Sequence, residues 1–274
     1  MKKFFTVVIV SLGLAINAYA QQQTQDQQFE GFNLEGYKND GNKAWDVKGD
    51  TADVQGSKIT ISNVNANSYG EQNMNVTAQT GEIDQTSGQM HLEKDVIITS
   101  EEGSQLLTDS LNWDRNKDLV TTEDEVLITD ERLTATGKGM QAQPGLKTAQ
   151  INEDVRLTVN TEPEKKNGIP VTITSDGPMV MDQAVGKATF KVNVVAVREN
   201  QTLKADEIQV YFDTKANAIK EMVCIGNVQI LQGENKTYAE KAVYNAATQK
   251  LTLSGRPKLI FITEGEGAIT AFGD

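Results

Sequence analysis

The sequence predicts an all-β protein of antiparallel strands, and three observations carry that reading. The first is period-2 alternation: "KITISNV" puts Ile59 and Ile61 on one face of a strand and Thr60 and Ser62 on the other. The second is self-similarity. "TDSLNWDRNKDLVTTEDEVLITD", residues 108–130, repeats the earlier "AQTGEIDQTSGQMHLEKDVIITS" without a gap. Ile83 stands in the place of Trp113, Asp84 of Asp114, Val96 of Val126 and Ile98 of Ile128. "AEKAVYNAATQKLTLSGRPKLIF" keeps the spacing near the C-terminus, with Tyr244, Asn245 and Pro257 in the places of Trp113, Asp114 and Val126. A period of about 30 residues marks a repeat architecture. The third is punctuation, since "DQTSGQ" and "DRNKD" fall at equivalent places and carry residues suited to tight or left-handed backbone.

Taken in order, the chain opens on a targeting segment. Lys2 and Lys3 precede the apolar run "FFTVVIVSLGLAI", and "AYA" at 18–20 fits a cleavage site, so residues 1–20 read as a signal peptide. An uncleaved anchor helix is the alternative, although the run is short for a span. From about Phe29 to Val159 the texture is short alternating strands between Gly, Asn and Asp turns, with "DVIITS", "EVLITD" and "DVRLTV" as successive examples. "NTEPEKKNGIP" then breaks the pattern and reads as a linker or long loop at 161–170. The texture resumes at 171–263, through "DEIQVYF" among others, and the tail 264–274 is expected to fray. No helix is expected beyond the N-terminal segment.

Composition excludes several functions. The formal net charge is −12, which argues against nucleic acid and against an anionic bilayer surface. Cys224 is the single cysteine, so burial and backbone hydrogen bonds must hold the fold; in its apolar strand it reads as an inert packed thiol. His91, the sole histidine, lies in an alternating strand and reads as neither ligand nor acid–base group. Gly137 and Gly139 lack phosphate-loop spacing and are read as permitting a bulge or a close backbone approach. Asp84 and Asp114 start turns. "EEG" and "TEDE" lack the spaced oxygens of a calcium site. No catalytic residue, metal or cofactor is expected. Aromatic residues are only 6% of the chain, which suits an incompletely filled interior.

Six phrases carry a family resemblance. "KAWDVKGDTADV", "ISNVNANSY", "LLTDSLNWD" and "LTATGKGMQA" follow the order W-x-V-x-G/A-x-x-A, a tyrosine strand, L-x-T-D-x-L-x-W and T-G-x-G-M. In that order they resemble LptC, the lipopolysaccharide-transport component of the inner-membrane complex. "LKADEIQVYFD…IKEMVCIGNVQIL" and "TYAEKAVYNAATQKLTLSGRPKL" resemble LptA and the wider OstA superfamily. The chain thus looks like an LptC-like module (21–160) fused to an LptA-like one (171–263). A cleavable-looking signal departs from the anchor helix usual in LptC.

The resemblance implies an antiparallel β-jellyroll folded like a half-open taco, whose apolar inner faces form a slot for acyl chains. Alternation assigns Ile83, Val96, Ile98, Trp113, Val126 and Ile128 to that face, with Met140 of the T-G-x-G-M phrase. Ile208, Val210, Phe212, Val228 and Ile230 are assigned to it in the second module. The implied function is a periplasmic, non-enzymatic carrier of lipopolysaccharide. Its implied partners are an inner-membrane ABC transporter, OstA-type bridge proteins, an outer-membrane assembly protein and further copies joined head to tail. Lys258, Leu259, Ile260, Phe261 and Ile262 are expected as the exposed docking edge. A polysaccharide-acting enzyme or an adhesin-like β-repeat protein is the alternative.

Overall fold

The computed structural model describes residues 26–38, 40–69, 73–160, 169–213 and 218–262. The targeting segment, most of the 161–170 stretch and the 264–274 tail lie outside the described residues. The first half comprises β1 (Gln27–Tyr37), β2 (Lys43–Gln55), β3 (Lys58–Ser68), β4 (Met74–Asp84), β5 (Gln89–Ser100), β6 (Gln105–Asp114), β7 (Leu119–Thr129), β8 (Leu133–Gln143) and β9 (Thr148–Val159). The second comprises β10 (Val171–Ser175), β11 (Met179–Asp182), β12 (Lys187–Arg198), β13 (Gln201–Asp213), β14 (Ala218–Gln232), β15 (Asn235–Asn245), β16 (Lys250–Ser254) and β17 (Lys258–Ile260). One 3₁₀ turn, Pro144–Leu146, joins β8 to β9. Among the described residues no helix is long and apolar enough to cross a membrane.

All strands lie in one sheet and pair antiparallel in chain order. β9 pairs with β8 on one side and with both β10 and β11 on the other. β10 and β11 are therefore two pieces of one strand, parted at Asp176-Gly177-Pro178. β16 and β17 are likewise collinear on β15, parted at Gly255-Arg256-Pro257. In both places a proline that cannot donate to the ladder accounts for the break. The seventeen strands thus make fifteen rungs. Val159 pairs with Val171 across the 161–170 connection.

Most strands run to ten residues or more, longer than the short strands expected. Several Gly, Asn and Asp positions lie at bulges or left-handed kinks inside continuing strands, where turns between short strands were expected. Gly31, Asn63, Asp95, Gly139, Asp154, Asn193 and Asn227 all take positive φ near mid-strand. The pairing slips beside several of them, between Glu93 and Val96, Lys191 and Val194, and Ile225 and Val228. A bulge bends its strand and increases the local twist. Aligned across the rungs, the bulges form a crease along which the sheet folds over, as in a β-jellyroll. Amide side chains stitch the crease to carboxylates: Asn63 donates to Asp50 at 2.5 Å, Asn193 to Asp176 at 2.7 Å and Asn227 to Asp206 at 2.9 Å.

The folded sheet buries two apolar clusters. One runs from Val47 through Ile61 and Val96 to Leu111. The other runs from Val126 through Met140, Ile151, Phe190 and Ile208 to Ala242. Leu106 packs against both. The core therefore parts near β6 and β7 and is unbroken across the 160–171 connection. Where it parts, the hydroxyls of the buried Thr108 and Thr122 lie 3.3 Å apart and satisfy each other.

Candidate functional site

The inner face can be followed rung by rung. On one side of the crease, cross-strand partners run Leu34–Val47–Ala66–Val76–Ile98–Leu106–Ile128–Ala135–Leu157. The same row continues as Ile173–Ala196–Leu203–Ile230–Thr237–Leu259. One residue from each of the fifteen rungs is present, and Thr237 is the single polar member. On the other side a second row runs Val54–Ile59–Ile83–Met90–Trp113–Val120–Ala142. It continues as Ala149–Met181–Ala188–Val210–Met222–Tyr244–Leu251. Two apolar rails thus flank the crease, the first across all fifteen rungs and the second across the fourteen from β2 to β16, with the polar Gln27 beyond it on β1.

The residues expected in the slot all face inward, at two depths. Val96, Val126 and Val228 are buried at the crease, with Met140, Ile208 and Val210 also buried. Ile83, Ile98, Trp113, Ile128, Phe212 and Ile230 are half-buried and pack against the clusters from the lips. The buried set forms the floor and the half-buried set the mouth. Trp113 adds a polar feature. Its indole Nε1 is buried and is the one such side-chain atom without a hydrogen-bond partner among the described residues. The L-x-T-D-x-L-x-W phrase supplies Leu106, Thr108, Leu111 and Trp113, so that phrase is one inner face written out.

At the mouth in the second half lies a cavity of about 460 Å³. It is lined by Val159, Ala196 and Leu203 from one lip and by Met222, Tyr244 and Leu251 from the other. Arg132 and Arg198 also line it. Sequence reading found only Ile230 of this set, because the two lips are brought together by folding and not by local pattern. A larger hollow of about 550 Å³ follows the outside of the crease beside Asp95, Asp109, Glu125 and Lys138.

The remaining singled-out residues have structural roles. His91 lies on the outer face with Nδ1 2.7 Å from Asn112 Oδ1 and Nε2 2.9 Å from Glu93; the Glu93 bond raises its pKa. Burial pushes the Cys224 thiol up to about 12. Asp84 Oδ1 accepts from the amides of Thr86 and Ser87, and Asp114 Oδ1 from Asn116 and Lys117, as turn formers do. Asn245 accepts from the Thr248 amide at the equivalent turn. Among the described residues no cluster of His, Cys, Asp or Glu could hold a metal.

Three residues of the expected docking edge are in a strand. Only Lys258–Ile260 is strand, paired to β15 on one side, while Phe261 and Ile262 lie beyond its end. Leu259, Ile260, Phe261 and Ile262 are all exposed. The opposite end of the sheet is β1, where Phe29 and Leu34 are exposed. Neither terminal strand has a partner on its outer side among the described residues.

Comparison with known families identifies this arrangement. The model of the lipopolysaccharide-assembly, LptC-related family matches residues 6–160, more than half of the chain. The chain belongs to the LptC-related family. A second model, the LptA/(LptD N-terminal domain) LPS transport protein, matches residues 172–271. An LptC-like module is therefore joined to an LptA-like one, as the phrases of the sequence indicated. Among solved structures the chain is similar to LptH, the LptA homologous periplasmic component of the lipopolysaccharide transport device of Pseudomonas aeruginosa. The identity is 15%, over 60% of this chain and 97% of that one, with a TM-score of 0.26. No curated protein matches the chain. The LptC match begins at residue 6, inside the N-terminal apolar run.

Proposed function

We propose that this LptC-related protein is a periplasmic, non-enzymatic carrier that holds lipopolysaccharide acyl chains between its two lips. In this reading it passes them from an inner-membrane ABC transporter toward the outer membrane. The observation that carries the proposal is the apolar rail from Leu34 to Leu259, which crosses the connection between the modules without interruption. A closed sandwich fills its own interior; here the same rails are half-open at the lips, so a bound chain has apolar wall along its whole path. The exposed apolar edges β1 and β16–β17 are the proposed docking surfaces, with the transporter received at β1. Beyond β16–β17 would lie an OstA-type bridge unit, another copy or the outer-membrane assembly protein. Export would be directed by residues 1–20.

Site-directed photocrosslinking in cells tests this. A photoreactive residue at Ile128 or Ile230, on the lips of the two modules, should label lipopolysaccharide on protein recovered from the periplasm with Gln21 at its N-terminus. One at Gln229, whose side chain alternates to the outer face, should not. Ile230 is the better probe than Val228, which is fully covered at the crease floor. Equal labelling from the inner and outer faces would rule out a slot.

A further inference from the structure

The cavity between the lips of the second module carries charged side chains among its apolar walls. Its volume of about 460 Å³ lies in the range of small-molecule pockets, about 300–1,000 Å³. Its walls belong to the two rails: Ala196, Leu203 and Ile230 on one, Met222 and Tyr244 on the other. Arg132 lines it from the turn between β7 and β8, and Arg198 from the end of β12. Both strand ends are on the same side of the sheet. The chain has five arginines against a net charge of −12, and two of them converge on this one apolar opening. The opposing lip contributes Tyr244, Ala246 and Leu251.

We infer that this cavity is a discrete seat for one anionic amphiphile, with its phosphate or carboxylate held by Arg132 and Arg198 and its alkyl chain lying toward Met222 and Tyr244. A guanidinium offers a planar fork of donors matched to phosphate and carboxylate oxygens. A headgroup kept at the rim stays hydrated while the chain is buried, which avoids the cost of taking a charge into the apolar interior. The seat fixes which end of the amphiphile faces which lip, so the slot has a polar sense as well as an axis. This inference rests on the slot reading and adds headgroup selection to it.

Binding of four probes sharing a twelve-carbon chain tests it with the full mature protein: dodecyl phosphate, dodecanoate, dodecyl maltoside and dodecyltrimethylammonium. The two anions should bind about tenfold more tightly than the uncharged and cationic probes, as charge-assisted hydrogen bonds predict. Arg198→Gln, a change at an exposed position, should reduce that preference, and the double variant with Arg132→Gln should abolish it. Binding of dodecyl maltoside should be unchanged in both. Displacement of dodecyl phosphate by lipopolysaccharide but not by phosphatidylglycerol assigns the source of the headgroup, and the reverse assigns it the other way. Equal affinity for all four probes, unchanged anion binding in the double variant, or displacement by neither lipid overturns the inference. If labelling at Ile128 persists in that event, the seat is lost and the carrier reading stands.

Discussion

Gly137 and Gly139 sit two residues apart on β8 and are glycine for different reasons. A Cβ on Gly137 would lie 2.4 Å from Ile151 Cγ2 and 2.8 Å from the Glu153 carbonyl, so β9 could not approach. Gly139 has φ +67° and kinks β8 opposite the extra residues that β7 and β9 carry. Gly139→Ala should cost about 1–2 kcal/mol for the left-handed backbone, and Gly139→Asn less. Gly137→Ala should cost about 3 kcal/mol, the upper end of overpacking, and Gly137→Asn should be worse. Urea midpoints at constant m-value check the order; equal tolerance of Asn at both positions would contradict it. The sequence left bulge and close approach open for the pair, since glycine serves both. It did show which residues face inward, because Ile83, Trp113 and Ile128 announce their side by alternation alone. Arg198 gave no such signal: its partner at the cavity, Arg132, is distant in the chain and meets it only after folding.

At the scale of elements, Asp46 ties the ends of β2 and β3 together. Its buried carboxylate accepts from Asn67 Nδ2 at 2.9 Å and from the Tyr69 hydroxyl at 2.8 Å, with Lys43 Nζ at 3.7 Å. The Asn67 bond foremost, then Tyr69 and Lys43, hold its pKa below the usual carboxylate range against the opposing effect of burial. A depressed folded pKa means stability that is complete above the unfolded value, about 3.9, and lost as pH falls through the lower folded value. Asp46→Ala should therefore cost about 1–3 kcal/mol at pH 7, and the gap from the parent should narrow by pH 3. Urea denaturation at the two pH values measures it; a gap that stays constant would mean that the charge is not what holds the hairpin. Strand existence and turn positions were legible, as Asp84, Asp114 and Asn245 show. Strand length was not, because Asp95 or Asp154 in left-handed backbone looks the same in sequence at a bulge as at a turn.

For the whole molecule, fifteen antiparallel rungs are an odd number, so β1 and β16–β17 run in the same direction. A second copy that continues the rails must then join its β1 to β16–β17 in parallel, with its Leu34 beside Leu259. Copies carrying Leu34→Cys mixed with copies carrying Leu259→Cys should form a mixed disulfide dimer; coupling of Phe29→Cys to Leu259→Cys would instead indicate antiparallel joining. Native Cys224 should not interfere, being buried with its pKa pushed up to about 12. The pairing of strands in chain order has a consequence for how the molecule is made. Each rung needs only the one before it, so every closing loop is a short one and its entropic cost barely changes from step to step. A chain emerging amino end first can be laid down strand upon strand as it arrives, with no late residue required to complete an early hairpin. At β9 the order has a finer step, since that strand receives both β10 and β11 before β12 closes over them.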